Sequence, residues 1–90
     1  MDEEADRLRD RVERQFECRA ALRRVAIVPS SSEALAERLR VHIFDLEGHP
    51  MAKCAYAWDE GSRIVAMQHG LIVQSPSDAV REAHTTPMGS

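Results

Sequence analysis

The sequence predicts an α+β domain: a three- to four-stranded antiparallel meander with an N-terminal amphipathic helix, a short second helix and a short C-terminal helix. Three observations lead there. Residues 3–24 carry apolar side chains at helical spacing, residues 40–46, 51–58 and 63–69 alternate in apolar character, and turn-forming residues separate these stretches. The expected order is α-α-β-β-β-(β)-α, with a single domain over 1–84 and a tail over 85–90 whose last two residues, Gly89 and Ser90, resemble a cloning remnant.

In the first helix Asp2 is the expected cap, and Glu3 and Glu4 suit the positive end of the helix dipole. Ala5, Leu8, Val12, Phe16, Ala20 and Leu22 fall in one stripe about 140° wide at about 100° per residue. Glu3–Arg7 and Asp10–Arg14 have ion-pair spacing, and Arg23 and Arg24 fall where the dipole favours cations. Val25 to Val28 is a short β-branched run, a connector or brief edge strand, closed by Pro29. Ser30 and Glu33 have capping-box spacing and open a second helix over about 30–38.

Residues 39–46 fit either a helix reaching Gly48 or a strand. Pairing decides for a strand over about 40–46. With Asp59–Ser62 as a turn, Trp58 faces Arg63, Tyr56 faces Val65 and Cys54 faces Met67. With Glu47–Pro50 as the preceding turn, Ile43 faces Cys54, Val41 faces Tyr56 and Leu39 faces Trp58. One register then puts three apolar rows on one face, as a half-buried sheet requires. The opposite face, with Ala55, Ala57, Ala66, Ile64, His42, Phe44 and Lys53, has small side chains that suit close approach by a helix. Gly70 bends the chain before Leu71–Val73, read as a fourth strand or a continuation past a bulge. Ser75 at N-cap, Pro76 and Asp78 open the last helix.

Composition narrows the function classes. Ninety residues with 43% apolar and 30% charged side chains exclude a disordered tail and a membrane span of about 20 residues. The acidic start, Met1-Asp2-Glu3-Glu4, is unlike a secretory signal, so a cytoplasmic domain is expected, with Cys18 and Cys54 as reduced thiols. Four aromatic residues, Phe16, Phe44, Tyr56 and Trp58, anchor a small core that association of two chains would enlarge. Eleven of the twelve basic residues are arginine, but residues 1–24 balance seven of them against seven acids, and the net charge of -3 disfavours a general phosphate-binding surface.

No motif specifies a reaction. The four glycines stand singly, so no phosphate loop exists, and the histidines and cysteines lack HxH, HxxxH or CxxC spacing. No cofactor and no metal are expected. The predicted register places Asp45 and His69 on either side of Ala52, one row from Cys54 and on the same face, with roughly 9–10 Å between the outer backbones. A cysteine beside a histidine and an acid suits nucleophilic chemistry or ligand binding. Trp58 beside Arg63 forms a second candidate corner, since both types are common at binding hot spots. The candidate ligand-binding residues are therefore Asp45, Cys54, Trp58, Arg63 and His69. The expected function is a non-enzymatic binding or protein-interaction domain acting as a homodimer. The alternatives are a small-molecule-binding protein or minor enzyme with a pocket at the Asp45/Cys54/His69 side, and a nucleic-acid-associated regulator using the arginines of the first helix.

Overall fold

The computed structural model describes residues 3–29, 38–60 and 63–85. The elements are α1 (Glu3–Phe16), β1 (Arg19–Pro29), β2 (Arg38–Glu47), β3 (Cys54–Asp59), β4 (Ile64–Gln68) and α2 (Pro76–Thr85). The strands form one antiparallel sheet in the order β1-β2-β3-β4, and no described helix is long and apolar enough to cross a membrane. The α+β class and the antiparallel meander are as the sequence predicts.

The first helix is shorter than its apolar stripe suggests. It ends at Phe16, and Glu17 takes a left-handed backbone (φ 53°), the conformation that commonly terminates a helix. Ala20 and Leu22, counted in the helical stripe, and Arg23 and Arg24, placed at its C-terminus, belong instead to β1. Tertiary pairing overrides local propensity here: β1 pairs with β2 along its length, from Arg19 opposite Glu47 to Pro29 opposite Arg38. Glu13 holds the junction, its carboxylate accepting from the Ala20 amide at 3.0 Å. The fourth strand is thus β1, and Leu71–Val73 is not a strand. It is part of a tight turn, closed by the Gly70 amide donating to the Val73 carbonyl at 2.8 Å, with Leu71 and Ile72 exposed. The predicted Asp2 cap and most of the second helix, 30–37, lie outside the described residues; Arg38 itself is in β2.

The registers differ from the prediction by two residues at both hairpins. Trp58 faces Val65 and Tyr56 faces Met67, while Ile43 faces Tyr56 and Asp45 faces Cys54. Turn chemistry is the cause. Pairing in the β3–β4 hairpin continues past Asp59 to a Glu60 amide bonded to the Arg63 carbonyl at 2.9 Å. The β2–β3 connection is longer than four residues: Leu46 bonds Lys53 at 2.8 Å, Gly48 has φ 86°, and the His49 ring accepts from the Met51 and Ala52 amides at 3.1 and 2.9 Å. A shift of two leaves every side chain on its predicted face.

Each face carries its own helix. Leu8 and Val12 of α1 pack on Phe44, Ala55, Ala57 and Ala66, the small-residue face. Arg7 ties α1 to the sheet through Asp59 at 2.9 Å rather than pairing with Glu3, while Asp10 and Arg14 pair as predicted at 3.1 Å. On the other face Val41, Ile43, Tyr56 and Trp58 pack with Val73 and with Ala79 and Val80 of α2. Helix α2 starts as predicted, with the Ser75 hydroxyl accepting from the Asp78 amide at 3.1 Å.

Candidate functional site

The two-residue shift brings Cys54 between Asp45 and His69, which stay two strand spacings apart as the sequence predicts. Cys54, not Ala52, is the central residue of their row. Asp45 on β2 lies directly opposite it, and on the other side the His69 amide donates to the Cys54 carbonyl at 2.9 Å. All three side chains are half-buried at the rim of the α2-bearing face.

One row further in, Tyr56 is buried between Ile43 and Met67. Its hydroxyl lies 3.0 Å from His69 Nδ1, and the Cys54 thiol reaches the same oxygen at 3.9 Å. The thiol can donate to the phenol oxygen while the phenol donates to the imidazole, giving a linear chain Cys54–Tyr56–His69. Burial first, then the contact with Cys54, pushes the phenol up from 10 to about 12. Asp45 takes no place in this chain. Its carboxylate is held at 2.6 Å by Arg23 from β1, on the side away from His69. Arg23 is the extra residue of a β-bulge between Leu22 and Arg24.

This geometry sets what the rim can do. A nucleophilic cysteine needs a base in contact with its sulfur and an acid orienting that base. Here a phenol stands between sulfur and imidazole, and the acid is engaged elsewhere. The rim offers a short polar hydrogen-bonding row over an apolar floor. Among the described residues, no three His, Cys, Asp or Glu side chains converge as a metal-holding group.

Trp58 and Arg63 are not part of this row. They sit toward the opposite end of the sheet, four residues along β3 from Cys54, or roughly 13 Å. Trp58 is fully buried and its indole donates to Glu60 Oε2 at 2.8 Å, while Arg63 reaches Glu60 Oε1 at 3.4 Å. A single carboxylate thus links the predicted pair. The arginines of α1 have partners as well: Arg7 pairs with Asp59 of the sheet, and within the helix Arg9 pairs with Asp6, Arg14 with Asp10, and Arg11 with Gln15.

The polar contacts of two side chains are not legible in the sequence. Tyr56 is visible there only as a core aromatic. His42 is 1% exposed beneath α1, with Nδ1 3.2 Å from the Arg40 carbonyl and Nε2 3.9 Å from Glu4, and its ring stacks on Phe44. Its place between Val41 and Ile43 in a run of apolar residues was the available signal.

A different surface lies on β1. The strand is eleven residues long, sits at the sheet edge, and exposes Leu22, Val25 and Ile27 on the α1-bearing side. No protein family, curated protein or solved structure matches the chain.

Proposed function

We propose that this chain is a non-enzymatic protein-interaction domain that acts as a homodimer. The observation that carries the reading is the β1 edge. An edge strand presents a row of unpaired amides and carbonyls, and folded proteins usually shorten, charge or cover it. The other edge is treated that way: β4 has five residues, and Gln15 from α1 donates to its Ala66 carbonyl at 3.1 Å. Strand β1 is more than twice as long, its arginines and its bulge lie within residues 19–24, and among the described residues no strand pairs with its outer side. Val25 and Ile27 stand 39% and 56% exposed beside it, so a second strand there would satisfy main-chain groups and cover apolar surface together. Native mass spectrometry of the purified chain from micromolar to submillimolar concentration is the test. A dimer of unadorned mass is expected, and a monomer throughout overturns the reading.

A second reading is favoured by the contiguity of Cys54, Tyr56 and His69: a small-molecule site on the rim, with Asp45 at its margin. The same mass spectrum addresses it, because a retained ligand adds mass. Unchanged ligand retention in Cys54→Ser and His69→Ala variants would remove it.

A further inference from the structure

We propose that two copies join through residues 24–28 of β1, antiparallel and symmetric about Ala26, making one continuous eight-stranded sheet. This rests on the homodimer reading and specifies its interface.

The pairing window is set by two interruptions. At one end is the bulge at Arg23, which breaks the ladder between Leu22 and Arg24. At the other is Pro29, which has no amide hydrogen to offer a neighbour. Between them Arg24, Val25, Ala26, Ile27 and Val28 form an uninterrupted extended segment with every amide present.

Symmetry then fixes the register. A closed dimer is isologous, so in an antiparallel strand pair the two-fold axis passes where a residue lies opposite its own copy. Centring on Ala26, the midpoint of the window, is the choice that uses all five residues. It sets Val25 opposite the partner's Ile27, and Ile27 opposite the partner's Val25. These are the two exposed apolar side chains of the window, and both project from the α1-bearing face, where they meet as cross-strand pairs. Arg24 falls opposite the partner's Val28, on the other face. Neighbouring registers do worse. Centring on Arg24 opposes two guanidinium groups, centring on Val25 runs the bulged Arg23 against Ile27, and centring on Ile27 sets Val25 against Pro29.

The window also favours a second copy over an acidic peptide. Arg24 is its single charge, since Arg23 lies outside it and is already neutralised by Asp45. Val25, Ala26 and Ile27, which oppose only one another in this register, are better complemented by the same sequence than by an acidic one.

The test is Ala26→Cys with Cys18→Ser and Cys54→Ser, oxidised in solution and also treated with a short bis-maleimide, with native mass spectrometry of the unmodified chain alongside. Opposed residues in a strand pair bring their Cβ atoms to about 4.5–5.5 Å, within reach of a short cross-link. Ala26→Cys should give a covalent dimer, whereas Gln68→Cys on β4 in the same background should not. Should Ala26→Cys disturb the fold, mixing Val25→Cys with Ile27→Cys protein replaces it, because both positions are exposed and the register predicts a mixed dimer. A native dimer that neither pair cross-links overturns the Ala26-centred interface and leaves the homodimer reading standing. A native monomer overturns both.

Discussion

Tyr56 is the residue on which the candidate site turns, and it is also the sole tyrosine of the chain, so its ionisation can be followed without ambiguity. The fold raises the phenol from 10 to about 12, mainly by burial. The protonated form is thus the one the folded state favours. Its contribution to stability is fully present below pH 10, declines between 10 and about 12, and is gone above that range. Ultraviolet titration of the native protein should place the phenolate transition near 12, returning toward 10 when urea unfolds the chain. Tyr56→Phe should abolish the transition and flatten the alkaline loss of stability. A native midpoint at 10 would contradict the burial that holds the Cys54–Tyr56–His69 chain together. Period-two alternation was enough to put Asp45, Cys54 and His69 on one face. It could not show which residues share a row, because that depends on turn lengths, nor that a side chain as long as tyrosine would reach the next row and separate thiol from imidazole. His42 was hidden for a related reason: its position on the small-residue face is legible, but its burial depends on where α1 lies.

Helix α1 and strand β1 show how an element boundary can be invisible to periodicity. Residues 19–28 lack strict alternation, and Ala20 and Leu22 extend the helical stripe, so a single helix to residue 24 is the local optimum. The strand is selected by its pairing with β2, a contact between segments far apart in sequence. The bulge at Arg23 also reverses the alternation partway along, erasing the two-residue period that would have revealed the strand. By contrast, the start of α2 was legible because Ser75, Pro76 and Asp78 act within one turn. The hairpin faces were also legible, since both register shifts were even. The helix end has its own consequence. Glu17 holds φ 53° without glycine's freedom, a conformation disfavoured for other L-residues by about 1–2 kcal/mol. Glu17→Gly should therefore stabilise the fold by about 1 kcal/mol, while a β-branched Glu17→Val should weaken it. Urea denaturation at fixed chain concentration measures both, and a loss of stability in Glu17→Gly would show that the side chain contributes more than its backbone costs.

At the scale of the molecule, the sheet divides the apolar interior in two. Leu8, Val12 and Phe44 lie on the α1 side, and Trp58, Val41 and Val80 lie on the α2 side, and among the described residues no side chain is common to both clusters. What joins them is the backbone of β2 and β3, whose consecutive residues face alternately up and down. Ile43 and Phe44 belong to opposite cores, as do Tyr56 and Ala57. A sheet cannot keep its ladder while one face loses its packing, so the two halves should melt as one unit. Leu8→Ala tests this directly. Leu8 is fully buried on the α1 side, and its truncation should cost about 2–5 kcal/mol, a large share of the roughly 5–15 kcal/mol that holds a typical domain together. The sole tryptophan, Trp58, reports from the opposite face. In a cooperative molecule the urea midpoint read by Trp58 fluorescence falls in Leu8→Ala by the same amount as the midpoint read by far-ultraviolet circular dichroism. If the faces were independent, Trp58 would keep its wild-type midpoint while the helical signal shifted. Because dimerisation ties apparent stability to concentration, wild type and variant must be compared at equal chain concentration. Raising that concentration should lift both midpoints together, since β1 pairs with β2 and contributes Ala20 to one core and Val28 to the other.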